Sequence, residues 1–411
     1  MQQINLKYGR TEIPFEYDET KIEILGDFHF EPSLTDAQIG EKLNSPIGCE
    51  PLETIVGPDE TVLVVVPDAT RRSGAGQIVN LLVRRLIANG TAPHQIAAIF
   101  STGIHRSVTE EEKQEVLTPF IAQRVKTLHH DARDLMQIVR VGETSGGIAV
   151  ELNRALFDFD HVVLVGSVSF HYFAGFTGGR KLVCPGLASA GTISATHKLA
   201  FDCDARDRRA GVGTGLLDGN AVNETFVEAA SSAKISFSIN TLLNDAGEIT
   251  GLFCGDWQAS HKLACETFAE QNTIKIEEKR DLVIVSCGGY PNDINMIQAH
   301  KSLEGASHVC KDGGTIILLA ECRDGLGRDD FLNWFEAKDS GELAAQLCEK
   351  YQVNGQTAWS LLRKAEQFRI EAVTSLKDAA LNAMRIKRSE TKKRDECGYI
   401  VPNGGRILIK T

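Results

Sequence analysis

The chain has no pair of cysteines at C-x-x-C spacing, although ten are scattered between Cys49 and Cys397. Closely spaced thiolate zinc sites and the disulfide frameworks of small secreted domains are thereby excluded, and mostly reduced, buried thiols are expected. A basic excess is missing too: 44 Lys and Arg stand against 55 Asp and Glu, a formal net charge of −11. Non-specific nucleic-acid binding needs a basic field, so nucleic acid is excluded as a partner, whereas a locally positive pocket for a small anion is not. No apolar run approaches the ~20 residues that span a bilayer, and Met1 to Gly9 has no apolar signal core. These absences predict a cytoplasmic protein without membrane contact. The P-loop pattern G-x-x-x-x-G-K-[ST] is absent, as is a convincing G-x-G-x-x-G after an early strand, which argues against an ordinary NAD dehydrogenase. There is no internal repeat and no low-complexity tract.

At 411 residues, 42% hydrophobic and 24% charged, the chain exceeds one compact core, and two domains are expected. Strand and helix patterns alternate. Thr61 to Val66 is a continuous β-branched run, the mark of a strand buried on both faces. Gln77 to Ile87 has helical spacing and stops at Asn89-Gly90. Gln95 to Phe100 reads as a second strand, Thr109-Glu-Glu-Glu as a capped helix start, and His161 to Gly166 as a third strand. A second unit begins near residue 280 with a strand over Asp281 to Ser286, a helix over Met296 to His308 and a strand over Thr315 to Ala320. Helices over Phe331 to Ala337, Glu342 to Tyr351, Ala358 to Phe368 and Ser375 to Met384 follow, then a charged connector over Lys387 to Glu396. Gly405 to Lys410 closes as a strand. The expected fold class is α/β: two α/β domains with mixed sheets and the active site in the cleft between them. Residues 1–275 would form the N-terminal catalytic domain, rejoined by 398–411, and 276–397 the C-terminal domain.

In open α/β sheets, ligands bind beyond the carboxyl ends of the strands. Asp68 with Arg71, then His105, then His171 each follow such an end, so three polar loops are expected to converge. The densest segment runs from His171 through Thr177-Gly-Gly-Arg-Lys181 to Gly186, with His197 beyond it. Histidine titrates nearest neutral pH and is the commonest neutral metal ligand. A lysine beside glycines can be approached closely and can link covalently to a ligand. The same turn could equally be an anion cradle of backbone N–H groups and two cations. His105 and His171 could act as acid and base on opposite faces of one carbon. Arg71 and Arg72 offer forks for a carboxylate or phosphate, and Gln298 and Lys301 share a helical face. His129-His130-Asp131 reads as a polar loop, and His261, His300 and His308 as packing or surface residues. Asp202 to Arg209 reads as a solvated loop.

Together these residues resemble the nickel-dependent lactate racemase family over nearly the whole chain. The resemblance rests on Asp68-Ala69-Thr70-Arg71, Gly103-Ile104-His105, His171 through Gly186, His197, and the pair Gln298 and Lys301. It implies a 2-hydroxy-acid racemase or epimerase with a nickel(II)-pyridinium-3,5-bisthiocarboxylate mononucleotide bound covalently at Lys181. His197 would be the protein ligand to nickel. Asp68, Ala69, Thr70 and Arg71 would contact the cofactor, and His105 and His171 would be the catalytic acid and base. Arg71, Gln298 and Lys301 would bind the substrate, and Trp359 falls near an aromatic that shields it. Reversible hydride transfer from C2 to the cofactor is the implied reaction. Ile297, where an aromatic is expected, and Arg72, where proline is usual, suggest a larger or dicarboxylic acid such as malate. The alternatives are a sugar-acid 2-epimerase with the same cofactor and a non-catalytic carboxylate- or nucleotide-binding protein. Expected partners are the small 2-hydroxy acid and the cofactor's maturation enzymes, with a homodimer allowed.

Overall fold

A computed structural model describes residues 1–26, 32–372 and 397–410. The expected helix over Ser375 to Met384 and the connector over Lys387 to Glu396 lie outside the described residues. The chain divides into two compact units, one of residues 30–200 and 210–268, the other of 1–29, 201–209 and 269–411.

The first unit is built on a six-stranded sheet in the order Ile249–Gly255, Ile235–Leu243, His161–Ser167, Val62–Pro67, Ile96–Ser101, Lys126–Leu128. All neighbours are parallel except Ile249–Gly255, which returns antiparallel on Ile235–Leu243. Every residue of Val62–Pro67 is buried, as a strand covered on both faces requires. Val62, Val64 and Val66 pack with Ile78, Val79, Leu82, Val83 and Leu86 of the helix Ala75–Ala88 in one core. That helix ends at Asn89, and Gly90 follows at φ +107°. The helix Glu110–Leu117 starts on a capping box in which Thr109 and Glu112 each satisfy the other's backbone N–H.

The second unit has a five-stranded sheet, parallel throughout, in the order Arg369–Ala372, Cys310–Leu319, Arg280–Ser286, Gly398–Val401, Ile22–Ile24. Period-two alternation separates its faces. Val283 and Val285 pack with Ala299 and Leu303 of the helix Met296–Ser307, while Leu282 and Ile284 meet Leu6 and Phe15 of the hairpin Gln2–Tyr8 and Thr11–Tyr17. The final strand Leu408–Lys410 pairs with Thr273–Lys275.

One expectation is corrected here. Residues 398–411 do not rejoin the first unit, and the N-terminal hairpin leaves it as well, because both supply pairing partners and cover for the second sheet. Asp202 to Arg209 is the exposed end of a hairpin anchored in the second unit: Phe201 packs edge-on against Trp359 with ring centroids 5.0 Å apart, and Arg208 pairs with buried Glu304 at 2.6 Å. Most cysteines are free thiols, eight of the ten, while Cys203 and Cys348 form a disulfide across 145 residues of sequence.

Candidate active site

Val62–Pro67, Ile96–Ser101 and His161–Ser167 are consecutive parallel strands, so the loops after them leave the same edge of the sheet. The first loop holds Asp68, 5% exposed. Its Oδ1 accepts from the Thr70 backbone N–H at 3.1 Å and the Thr70 hydroxyl at 2.6 Å, and its Oδ2 lies 2.7 Å from His105 Nδ1 in the second loop. Burial opposes the Asp68 charge, but His105, Thr70 and Arg71 outweigh it and hold the carboxyl below its usual range. Ionised Asp68 accepts the Nδ1 proton and leaves His105 Nε2 as the basic nitrogen. Gly103 in that loop donates its N–H to the Gly186 carbonyl at 2.9 Å, tying the loop to the end of the glycine-rich segment.

His171, 6% exposed, has the complementary tautomer. Its Nδ1 accepts the Ala174 backbone N–H at 3.3 Å, so the neutral ring carries its proton on Nε2. Tyr172 stacks on it with centroids 5.3 Å apart, and Phe173 meets it edge-on at 4.5 Å. The two imidazoles thus carry opposite tautomers.

The glycine-rich turn is drawn against the protein. Gly179 sits at φ +50°, and a Cβ there would come 2.6 Å from the His261 ring, so a larger residue would be excluded on both counts. Lys181 follows, its Nζ 5.2 Å from the Phe226 centroid and 5.5 Å from that of Phe173. Burial, then the neighbouring Arg180 and Arg71 guanidiniums, push its ammonium well below the usual lysine range. That direction favours the free base, the form that attacks an electrophile.

His197 shares those two aromatic walls, its centroid 5.1 Å from Phe173 and 5.6 Å from Phe226. It lies near the end of the helix Ala190–Lys198, which Ser189 caps. His197 Nδ1 donates to the Ile193 carbonyl at 2.8 Å. Burial, then Lys181, push the ring down to about 3, so it is neutral with its lone pair on Nε2. Among the described residues, no hydrogen bond occupies that nitrogen. A neutral imidazole oriented through its other nitrogen by a backbone carbonyl is the usual form of a metal-binding histidine. No group of three His, Cys, Asp or Glu among the described residues is arranged to hold a metal ion.

Arg71 completes the cluster, close enough to Lys181 and Asp68 to act on both electrostatically. Arg72 does not join it: it is exposed, and its Nη1 donates to the Asp245 carbonyl at 3.4 Å. In the second unit, Lys301 Nζ donates to Gln298 Oε1 on the helix Met296–Ser307, where Asn295 caps the Gln298 N–H at 2.9 Å. Ile297 packs into the cluster that holds Trp359 and Phe331, so it serves its own unit's core. His130 is a packing residue, bonded to the Ala188 carbonyl at 3.2 Å and to Asn153 at 3.0 Å. Sequence reasoning missed the roles of Phe173, Phe226, Arg180 and His261. The two phenylalanines look like ordinary core residues, and nothing in the spacing links residue 261 to residue 180.

The geometry can be set beside known proteins. Residues 8–208 match the lactate racemase N-terminal domain and residues 276–394 the lactate racemase C-terminal domain. A lactate racemase of Lactiplantibacillus plantarum is 32% identical over 338 residues, covering 80% of this chain and 77% of that protein. One from Thermoanaerobacterium thermosaccharolyticum is 28% identical over 356 residues, covering 85% and 82%. The solved lactate racemase apoprotein from T. thermosaccharolyticum superposes with a TM-score of 0.86 at 24% identity over 100% of each chain. A Thermotoga maritima protein superposes at 0.67 with 20% identity, over 93% of this chain and 100% of that one. The chain belongs to the lactate racemase family and is an isomerase of the racemase type.

Proposed function

We propose that the protein racemises a lactate-like 2-hydroxy acid with a nickel–pyridinium bisthiocarboxylate mononucleotide attached at Lys181. The observation that carries this reading is the pairing of Lys181 and His197 between Phe173 and Phe226. A free-base amine and an oriented neutral imidazole stand side by side there, which suits one group tethered through nitrogen and ligated once by the protein. Attachment joins the Lys181 nitrogen to a thiocarboxyl carbon as a thioamide, with loss of water. When bound, the group supplies an electrophilic carbon that accepts hydride from C2 of the acid and returns it.

The chain's own residues handle the charge and the protons. The Arg71 guanidinium suits the substrate carboxylate as a two-pronged donor. His105 Nε2 takes the hydroxyl proton, and Asp68 steadies the imidazolium that results. His171 would enter the cycle as the imidazolium, its Nδ1 contact with the Ala174 N–H released, and return a proton from Nε2 when hydride comes back to the opposite face; it is left neutral while His105 is left protonated, so reversal exchanges the two roles. Gln298 and Lys301 present an amide and an ammonium on one helical face, donors that a carboxylate also takes. Malate was favoured by Arg72 and Ile297. Arg72 engages the turn at Asp245 and Ile297 its own core, so a short monocarboxylate is the better substrate.

The test is chiral chromatography of D-lactate, D-malate and D-gluconate with protein matured in cells that make the cofactor, alongside intact mass and nickel content. Lactate turnover with an adduct lost in Lys181→Ala is expected. Substrate deuterated at C2 should keep its label through turnover. Label lost freely to water would indicate carbanion chemistry and end the hydride reading.

A further inference from the structure

Arg180 is 1% exposed, and among the described residues no carboxylate pairs with it. A guanidinium buried without a counter-charge is costly, and such groups persist where the fold uses them. Its fork is instead fixed by neutral acceptors. Nη2 donates to the Ala174 carbonyl at 2.8 Å, and Nη1 lies 3.0 Å from His261 Nε2 and 3.5 Å from the Gly178 carbonyl. His261 stands on the helix Trp257–Asn272, and the same Nε2 is 2.9 Å from the Thr177 carbonyl. Burial, then Arg180, push that ring down to about 3, so it stays neutral, and its Nε2 either accepts from Arg180 or donates to the Thr177 carbonyl, one at a time. Cys265 Sγ closes the cluster, 3.4 Å from His261 Nε2. One side chain thus binds both ends of the turn that carries Lys181 and anchors that turn to a helix behind it.

We propose that Arg180, held by the Ala174 carbonyl and set against the His261 ring, is the positioning residue that aims Lys181 Nζ between Phe173 and Phe226. The amine faces Arg71 from the loop after Val62–Pro67, Cys184 from its own segment and His197 from the helix Ala190–Lys198. Arg180 is the nearest of these along the chain. This inference rests on Lys181 being the attachment point, and its test reads Lys181 both with and without the cofactor.

Apo-protein is trace-labelled with acetic anhydride at pH 8, and Lys181 acetylation is measured by peptide mass spectrometry against exposed Lys42. In parallel, adduct occupancy at Lys181 is measured after maturation in cells. Arg180→Lys keeps the charge but loses the fork, so adduct yield at Lys181 should fall severalfold; Arg180→Met should do the same, and the lysine variant serves if the methionine variant does not fold. Full adduct in folded Arg180→Lys or Arg180→Met would overturn the proposal. If wild-type Lys181 carried no adduct yet its labelling relative to Lys42 still changed in Arg180→Lys, the attachment reading would fall and the positioning of the amine would stand.

Discussion

Asp68→Asn tests the least expected contact in the site, the 2.7 Å bond from His105 Nδ1 to a buried carboxylate. Asparagine keeps the shape and removes the charge that steadies the imidazolium when His105 takes the substrate proton. A hydrogen bond to a charged group contributes about 1.5–3 kcal/mol. The His105 side chain is 44% exposed, so solvent screening favours the lower end. About 1.5–2 kcal/mol corresponds to a fall in kcat of roughly 10- to 30-fold. The assay is kcat and KM in both directions by chiral chromatography, normalised to adduct occupancy, and KM should change little. His105→Ala sets the ceiling, since loss of a general base costs about 10²–10⁴-fold, and Asp68→Asn should add nothing in that background. A kcat within twofold of wild type at full occupancy would refute the dyad. The carboxyl titrates below the usual carboxylate range, so its contribution is present above about pH 4 and is lost only as pH falls through the lower folded value. An activity loss between pH 5 and 7 therefore has another source.

Acid should unfold the protein through its buried imidazoles. His130 is pushed down to about 4 and His197, His261 and His300 to about 3, in each case chiefly by burial. Unfolding frees them to bind protons below about pH 6.5, so stability falls as pH drops from there toward the folded values. Near pH 5 the slope approaches about 5 kcal/mol per pH unit for four such groups; urea unfolding free energies equal at pH 7 and pH 5 would contradict it. Glu304→Gln removes the carboxylate that binds Arg208 and Lys364 in the second unit. Two cations lose their partner, so a cost of about 3–5 kcal/mol is expected in urea titration, and a loss under 1 kcal/mol would show that the network relaxes. Phe226→Ala opens the wall shared by Lys181 and His197 and should cost about 3–5 kcal/mol, with nickel retention falling together with stability.

The alternating elements, the capping box at Thr109 and the strands at Val62–Pro67, Ile96–Ser101 and His161–Ser167 were legible because period and end signals are local properties of the chain. So were Asp68, His105 and His171, since a buried parallel strand dictates where its loop emerges. Lys181 and His197 could be singled out by composition around them. Their protonation states could not, because these depend on how many protein atoms surround a group and which charges lie among them.

Local order alone determined the α/β class, most element positions and the segment that carries the chemistry, because backbone preference and side-chain periodicity act over a few residues. Only tertiary packing decided that residues 1–26 and 397–410 complete the second sheet, that Asp202 to Arg209 belongs to that unit, and that Arg72 turns to Asp245. It also set His105 on Asp68 and Arg180 on His261, pairs separated by 37 and 81 residues. Strand partnership and burial are sums over distant parts of the chain, and no window of sequence contains them.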